Sequence, residues 1–250
     1  MSTDLSVVKA LTHSAIATKQ RLRIEWVVAS DLDENDSETT TEQHRDAWKR
    51  LKSCNGIVVP GGFGMRGFDG KMAAIRYARE SGTPFLGICL GMQAAVVEYC
   101  RNVLKRPNAH SAEFKSDLEE DVEDAVIFMP EGDRERMGGT MRLGLRETIL
   151  KEGSLAQGLY NMEKILERHR HRYEVNPALV PDLEAAGLQF VGRNTDSSGE
   201  RMEVIELDTN LHPYFVAAQF HPEFTSRPER PNPLFFGLLK ASQRGALETS

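Results

Sequence analysis

Cysteine is scarce in this chain: three residues in 250, Cys54, Cys89 and Cys100, with no CxxC pair and no even framework. That argues against a disulfide scaffold and fits free thiols in a reducing compartment, the cytoplasm. Positive charge is also short. The formal net charge is -6, which argues against a nucleic-acid surface as the main function. No apolar run approaches ~18 residues, so neither a transmembrane helix nor a membrane partner is expected. The opening MSTDLSVVKA lacks a basic segment followed by an apolar one, so no signal peptide is expected. Internal repeats and low-complexity tracts are absent. What is present is ordinary globular composition, 40% hydrophobic and 27% charged. The length suffices for a full core and reads as a single domain over 1–250.

Apolar spacing predicts a helix over Leu5–Lys19 and a strand over Arg23–Ala29. The acidic stretch Ser30–Asp46 reads as a loop with a helical end. Ile57–Val59 is a buried strand entering the Gly-rich turn Pro60-Gly61-Gly62. A helix over Lys71–Ser81, a strand over Pro84–Ile88 and a helix over Leu90–Leu104 follow. This order predicts a mostly parallel α/β sheet with helices on both faces, whose reactive groups gather at the carboxyl ends of the strands. The second half is richer in strands: Ala125–Met129, Leu143–Thr148, Leu188–Arg193, Met202–Leu207 and Tyr214–Phe220. Pro177–Ala186 and Leu234–Arg244 read as helices, and Lys115–Asp124 and Glu131–Thr140 as mobile loops.

Gly87-Ile88-Cys89-Leu90-Gly91 has the G-x-C-x-G form of a nucleophile elbow. Side chains at the flanking positions would clash in so sharp a strand-to-helix turn, hence the glycines. The turn places the sulfur at a helix N-terminus, where unpaired N–H groups favour negative charge, and it aims the Leu90 N–H at a developing oxyanion. The competing reading is a buried cysteine at a tight turn. A nucleophile needs a base, and His221 directly follows the strong apolar strand Tyr214–Phe220, with Glu223 two residues on to orient the imidazole. Each residue alone has a bland explanation; together with the elbow they form a Cys-His-Glu triad. Pro60-Gly61-Gly62-Phe63-Gly64 qualifies as the second oxyanion donor. A phosphate-binding reading is weaker, since no Gly-Lys-Ser/Thr follows and there is no G-x-G-x-x-G. Arg168-His169-Arg170-His171-Arg172 admits a basic surface strip or a carboxylate site. A His-x-His metal site is disfavoured, because the sequence nominates no third ligand. Cys54 and Cys100 read as structural.

GICLGMQ, PGGFG and QFHPEF together resemble the class I, triad-type glutamine amidotransferases. ERHRHRYEVN, HSAEF, GGTMRLG and FTSRP narrow the resemblance to the glutaminase domain of the CTP synthase family, over almost the whole chain. The resemblance implies a flavodoxin-like α/β fold with Cys89 as nucleophile, His221 as acid/base, Glu223 as its orienter, and the N–H groups of Gly62 and Leu90 as oxyanion hole. It implies glutamine contacts from Gly62, Phe63, Leu90, Gly91, Met92, Gln93, Glu113 and Arg172, with Glu113 holding the α-ammonium. It implies a GTP-responsive loop around Thr140 and Arg142, and no cofactor or metal in this domain. ATP, Mg and UTP belong to a synthetase domain, the partner that receives the ammonia, within a homo-oligomer. Set against that family, the resemblance begins without a first strand before Leu5 and without the synthetase domain, and it implies a local insertion at Asn210-Leu211-His212-Pro213. Two alternatives stand beside this reading: a free-standing γ-glutamyl hydrolase, and a silent interaction module.

Overall fold

Three short apolar runs, Ile57–Val59, Phe85–Ile88 and Phe215–Ala218, lie side by side in the chain's main sheet, in a computed structural model that describes residues 2–114, 123–129, 141–196 and 199–247. In chain order the first half holds α1 (Ser2–Thr18), α2 (Thr41–Lys52), β1 (Ile57–Val59), α3 (Phe68–Ser81), β2 (Phe85–Ile88), α4 (Leu90–Asn102), β3 (Ala109–Ser111) and β4 (Glu123–Phe128). The second half holds β5 (Arg142–Leu150), α5 (Leu155–Tyr160), β6 (Lys164–His171), β7 (Tyr173–Val175), α6 (Val180–Ala185), β8 (Gln189–Asp196), β9 (Gly199–Glu206), β10 (Phe215–Ala218) and α7 (Pro233–Leu247).

β2 and β10 are buried along their whole length, and their alternate residues serve opposite faces. Phe85, Phe215 and Ala217 pack with α3 and α4; Leu86, Ile88 and Val216 pack with α1 and α7. Full burial of one such large side chain is worth about 1.5–3 kcal/mol. The α/β class and the helices on both faces agree with the sequence reading.

The sheet is mixed rather than mostly parallel. Its order is β1-β2-β10-β9-β8-β5-β6, and only the β1–β2 and β2–β10 pairs run parallel. Helix α3 carries the chain back for a parallel return from β1 to β2, whereas β8 and β9 are joined by two residues, which permits only an antiparallel return. A small second sheet, β3-β4-β7, flanks α4.

Arg23–Ala29 is not a strand. Its residues are of strand type, but β1 pairs only with β2, so the segment has no ladder partner among the described residues, and Trp26 and Val28 are exposed. Ser30–Asp46 is more ordered than expected. A 3-10 turn covers Ala29–Leu32, and α2 opens on a capping box between Thr40 and Gln43. Strands β3, β6 and β7 and helix α5 were not anticipated. Of the expected loops, residues 115–122 and Glu131–Thr140 lie outside the described residues, while Glu123 and Asp124 open β4.

The contact between β1 and the start of α4 leaves no space for a side chain. A Cβ on Gly91 would sit 2.2 Å from the Val59 carbonyl oxygen, whereas one on Gly158 in α5 would meet nothing within 4 Å. Gly91→Ala is therefore expected to destabilise the protein by about 3 kcal/mol. Gly158→Ala should be neutral or stabilise by up to about 1 kcal/mol. Urea-unfolding midpoints of the two variants check this pair.

Candidate functional site

The strand-to-helix corner after β2 carries the cysteine. Cys89 has φ 53° and ψ −103°, a conformation that a residue with a Cβ adopts at a cost of order 1–3 kcal/mol. The surroundings enforce it. The Cys89 N–H donates to Ala218 O at 2.7 Å, tying the corner to the end of β10. Its carbonyl accepts from the N–H groups of Met92 and Gln93 at 3.0 and 3.1 Å, so α4 starts at once. Neither the Leu90 nor the Gly62 N–H has an acceptor among the described residues. Both lie at the carboxyl ends of adjacent parallel strands, beside the sulfur's corner.

His221 arrives from β10, which is parallel to β2, and so comes to the same sheet edge. Its N–H donates to Arg168 O at 2.8 Å, and its ring stacks on Phe224. Nδ1 donates to Glu223 Oε1 at 2.7 Å, because a carboxylate only accepts. That leaves the Nε2 side of the ring free, and the ring and Cys89 meet around Gly61. Burial pulls the His221 pKa down, but its hydrogen-bonding and electrostatic interactions with Cys89 and Glu223 outweigh it and push the value up to about 10. The ring is thus an imidazolium at neutral pH, paired with a sulfur on one side and a carboxylate on the other.

A pocket of about 280 Å³, counting its open mouth, begins at this sulfur. Gly62, Phe63, Gln93 and Glu113 line it, as do His171, Arg172 and Tyr173 from the end of β6 and the start of β7. Arg172 Nε is buried with no hydrogen-bond partner among the described residues. Burial raises the Glu113 pKa, opposed by the Gly64 N–H and by the charges of Arg172 and Lys71. A cation and an anion thus face one cleft, the arrangement that suits a zwitterionic amino acid. Phe63 stands exposed at the rim, with the Arg170 guanidinium 5.6 Å from its ring centre.

The class I glutamine amidotransferase model matches residues 4–241. The chain belongs to that family. This amidotransferase is 50% identical over 243 residues to a CTP synthase of Dictyostelium discoideum, covering 95% of this chain and 41% of the relative. It is 52% identical over 239 residues to CTP synthase 1-B of Xenopus laevis, covering 95% of this chain and 39% of the relative. The chain thus spans about two fifths of the length of the curated relatives it matches. Among solved structures, the glutaminase domain of Trypanosoma brucei CTPS with bound acivicin superposes with TM-score 0.84 at 38% identity, over 96% of this chain and 88% of that one.

Three of the residues expected to bind glutamine bring no side chain to the amidotransferase pocket. The side chains of Leu90 and Met92 pack into the core, and Gly91 packs on β1. Thr140 lies outside the described residues. Arg142 opens β5 away from the pocket lining, donating to Asn194 Oδ1 at 2.9 Å and facing Glu203 Oε1 at 3.6 Å. Cys100 is fully buried and Cys54 half-buried.

Sequence reasoning missed His171, Tyr173 and Gln219. The signal was available in the two-residue alternation of Arg168-His169-Arg170-His171, which a surface strip does not require. β6 buries His169 and His171 and exposes Arg168 and Arg170, which alternate with them. The fold also supplies the third group that the sequence did not nominate: ring nitrogens of both histidines and a Glu203 oxygen lie within 4.8 Å of one another. The Arg142 guanidinium already faces that carboxylate.

Glu223→Gln is expected to lower the titration midpoint of the His221 ring from about 10 toward the ordinary 6.5, read by NMR of the imidazole. Because folding raises this pKa, the pair's stabilisation is complete below 6.5 and is lost as pH rises through about 10. The melting-temperature gap between wild type and variant should accordingly be widest at the acid end of that window and shrink toward its alkaline end.

Proposed function

We propose that this chain hydrolyses L-glutamine to glutamate and ammonia through a thioester on Cys89. The observation that carries the reading is the Cys89–His221–Glu223 line opening into a pocket walled by Glu113 and Arg172. The sulfur adds to the side-chain carboxamide carbon. The oxygen becomes an oxyanion between the Leu90 and Gly62 N–H groups; losing one such donor typically costs about 3 kcal/mol of barrier. His221 gives its proton to the departing nitrogen as the C–N bond breaks, releasing ammonia and leaving the thioester. The neutral ring then takes a proton from water. Hydroxide adds to the thioester, the C–S bond breaks, and glutamate leaves with the sulfur and imidazolium restored. Glu113 receives the α-ammonium of glutamine and Arg172 its α-carboxylate.

The relatives' names extend the proposal. The chain is a single glutaminase domain, and its ammonia serves the ATP-dependent amination of UTP to CTP by a synthetase domain within a cytoplasmic homo-oligomer. ATP, Mg and UTP bind that other domain, and no residue here is assigned to them. GTP stimulates hydrolysis through the segment that includes Thr140 and Arg142. No helix among the described residues is long and apolar enough to cross a membrane.

Cys89→Ala is expected to lower glutamine turnover by at least about 10⁴-fold. Arg172→Met should raise KM by about tenfold or more, as for a lost charge-assisted hydrogen bond. Glutamate release, with mass spectrometry for a glutamyl adduct on Cys89, checks both. Equal turnover of γ-glutamyl peptides would point to a γ-glutamyl hydrolase. Absence of turnover and of adduct, with the synthetase domain and GTP supplied, would point to a silent module.

A further inference from the structure

A second amide besides Gln93 stands at the nucleophile. Gln219 lies just past β10, two residues before His221, and is 1% exposed. Its Nε2 lies 3.7 Å from Cys89 Sγ, within the range of an N–H···S hydrogen bond. We propose that Gln219 holds the Cys89 sulfur in its attacking position by donating to it, and so acts as a further positioning residue of the reaction. The inference rests on the reading of Cys89 as nucleophile.

An amide presents a donor or an acceptor depending on which way it is turned, so the proposal depends on what fixes the turn. The Tyr173 carbonyl can only accept, and Gln93 Nε2 lies 2.9 Å from it. The same Nε2 donates to Gln219 Oε1 at 3.2 Å. The oxygen of Gln219 must therefore face Gln93, and its nitrogen must face the sulfur. Tyr173 O also accepts from His171 Nδ1 at 3.0 Å, which leaves His171 Nε2 to accept from His169 Nδ1 at 3.0 Å. Burial keeps both rings neutral, pulling His171 to about 3 and His169 to about 2, so this sense of donation holds at working pH. The main chain is fixed as well: the Gln219 N–H donates to Glu203 O at 2.9 Å on β9. Buried hydrogen bonds of fixed sense thus converge on the Tyr173 carbonyl from His171 and from Gln93, and a second branch runs from Gln93 through Gln219 to the sulfur.

The sulfur then has two neighbours from one strand end, the donor Gln219 and the His221 ring. The imidazolium moves its proton during the reaction; the amide does not. A fixed donor holds the sulfur in one place while His221 serves the leaving nitrogen and water.

The test uses the full-length protein with Gln219→Met, which keeps the volume and loses the donor, and Gln219→Glu, which replaces the donor by an acceptor. Two readouts are taken at one neutral pH: the second-order rate of Cys89 alkylation by iodoacetamide, and kcat and KM for glutamine. Gln219→Met is expected to lower both the alkylation rate and kcat about tenfold, the size of a lost hydrogen bond to a charged group, with KM within about threefold of wild type. Gln219→Glu should fall further on both. Alkylation and kcat of Gln219→Met within twofold of wild type would overturn the proposal, as would a Glu variant no worse than the Met variant. Thermal melts identify a variant that has not folded. In that case the side-chain amide protons of wild-type Gln219 decide by NMR: they should shift when Cys89 is alkylated, and an unmoved signal overturns the proposal. Wild-type turnover that survives Cys89→Ala would instead sink the assignment of the nucleophile, an outcome distinct from these.

Discussion

The bent backbone at Cys89 is the constraint on which the rest depends. A positive φ at a residue with a side chain is unfavourable, and here it is held between two neighbours. On one side β10 accepts the Cys89 N–H; on the other β1 presses its Val59 carbonyl against Gly91. The short parallel trio β1-β2-β10 is what supplies both contacts. Gly62, Cys89 and His221 reach one edge because these three strands end there together. The cost of the bend is met by the burial of β2 and β10, whose every residue is inside.

The longer antiparallel half supplies the pocket wall by a different means. β6 turns Glu167, His169 and His171 inward. Glu167 accepts from Tyr160, Thr225 and Asn232, and burial still pushes its pKa up to about 7 despite those bonds. These contacts anchor the segment after His221, since Thr225 and Asn232 belong to it. Polar groups placed this way contribute little net stability but specify one arrangement, because each would be costly unpaired.

That contrast explains what could be read in advance. β1, β2, α4 and β10 were legible because each is an apolar run bounded by Gly or Pro, and Cys89, His221 and Glu223 stand directly after such runs. β6 was not legible, since its inward face is Glu, His and His: the two-residue period is present but its apolar marker is missing. Arg23–Ala29 failed in the opposite way, with strand-type residues but no neighbour to pair with. Mostly parallel pairing was extrapolated from the first half, where α3 forms the crossover, to a half whose β8–β9 connection is too short for one. Gln219 drew no attention because its neighbours Phe220, His221 and Glu223 carried the stronger signal.

The position of β10 has a consequence for how the protein comes into being. It is the last strand among the described residues, yet it lies between β2 and β9, in the interior of the sheet. During synthesis the cysteine emerges about 130 residues before Gln219 and His221, an interval set by the separation of Cys89 from β10. Until the last strand inserts, the two halves of the sheet are not joined, and Cys89 has neither His221 beside it nor the backbone acceptor that bends it. Slow, long-range closure of this kind delays folding. It also means that Cys89, Gln219 and His221 are brought together in the same event that completes the core.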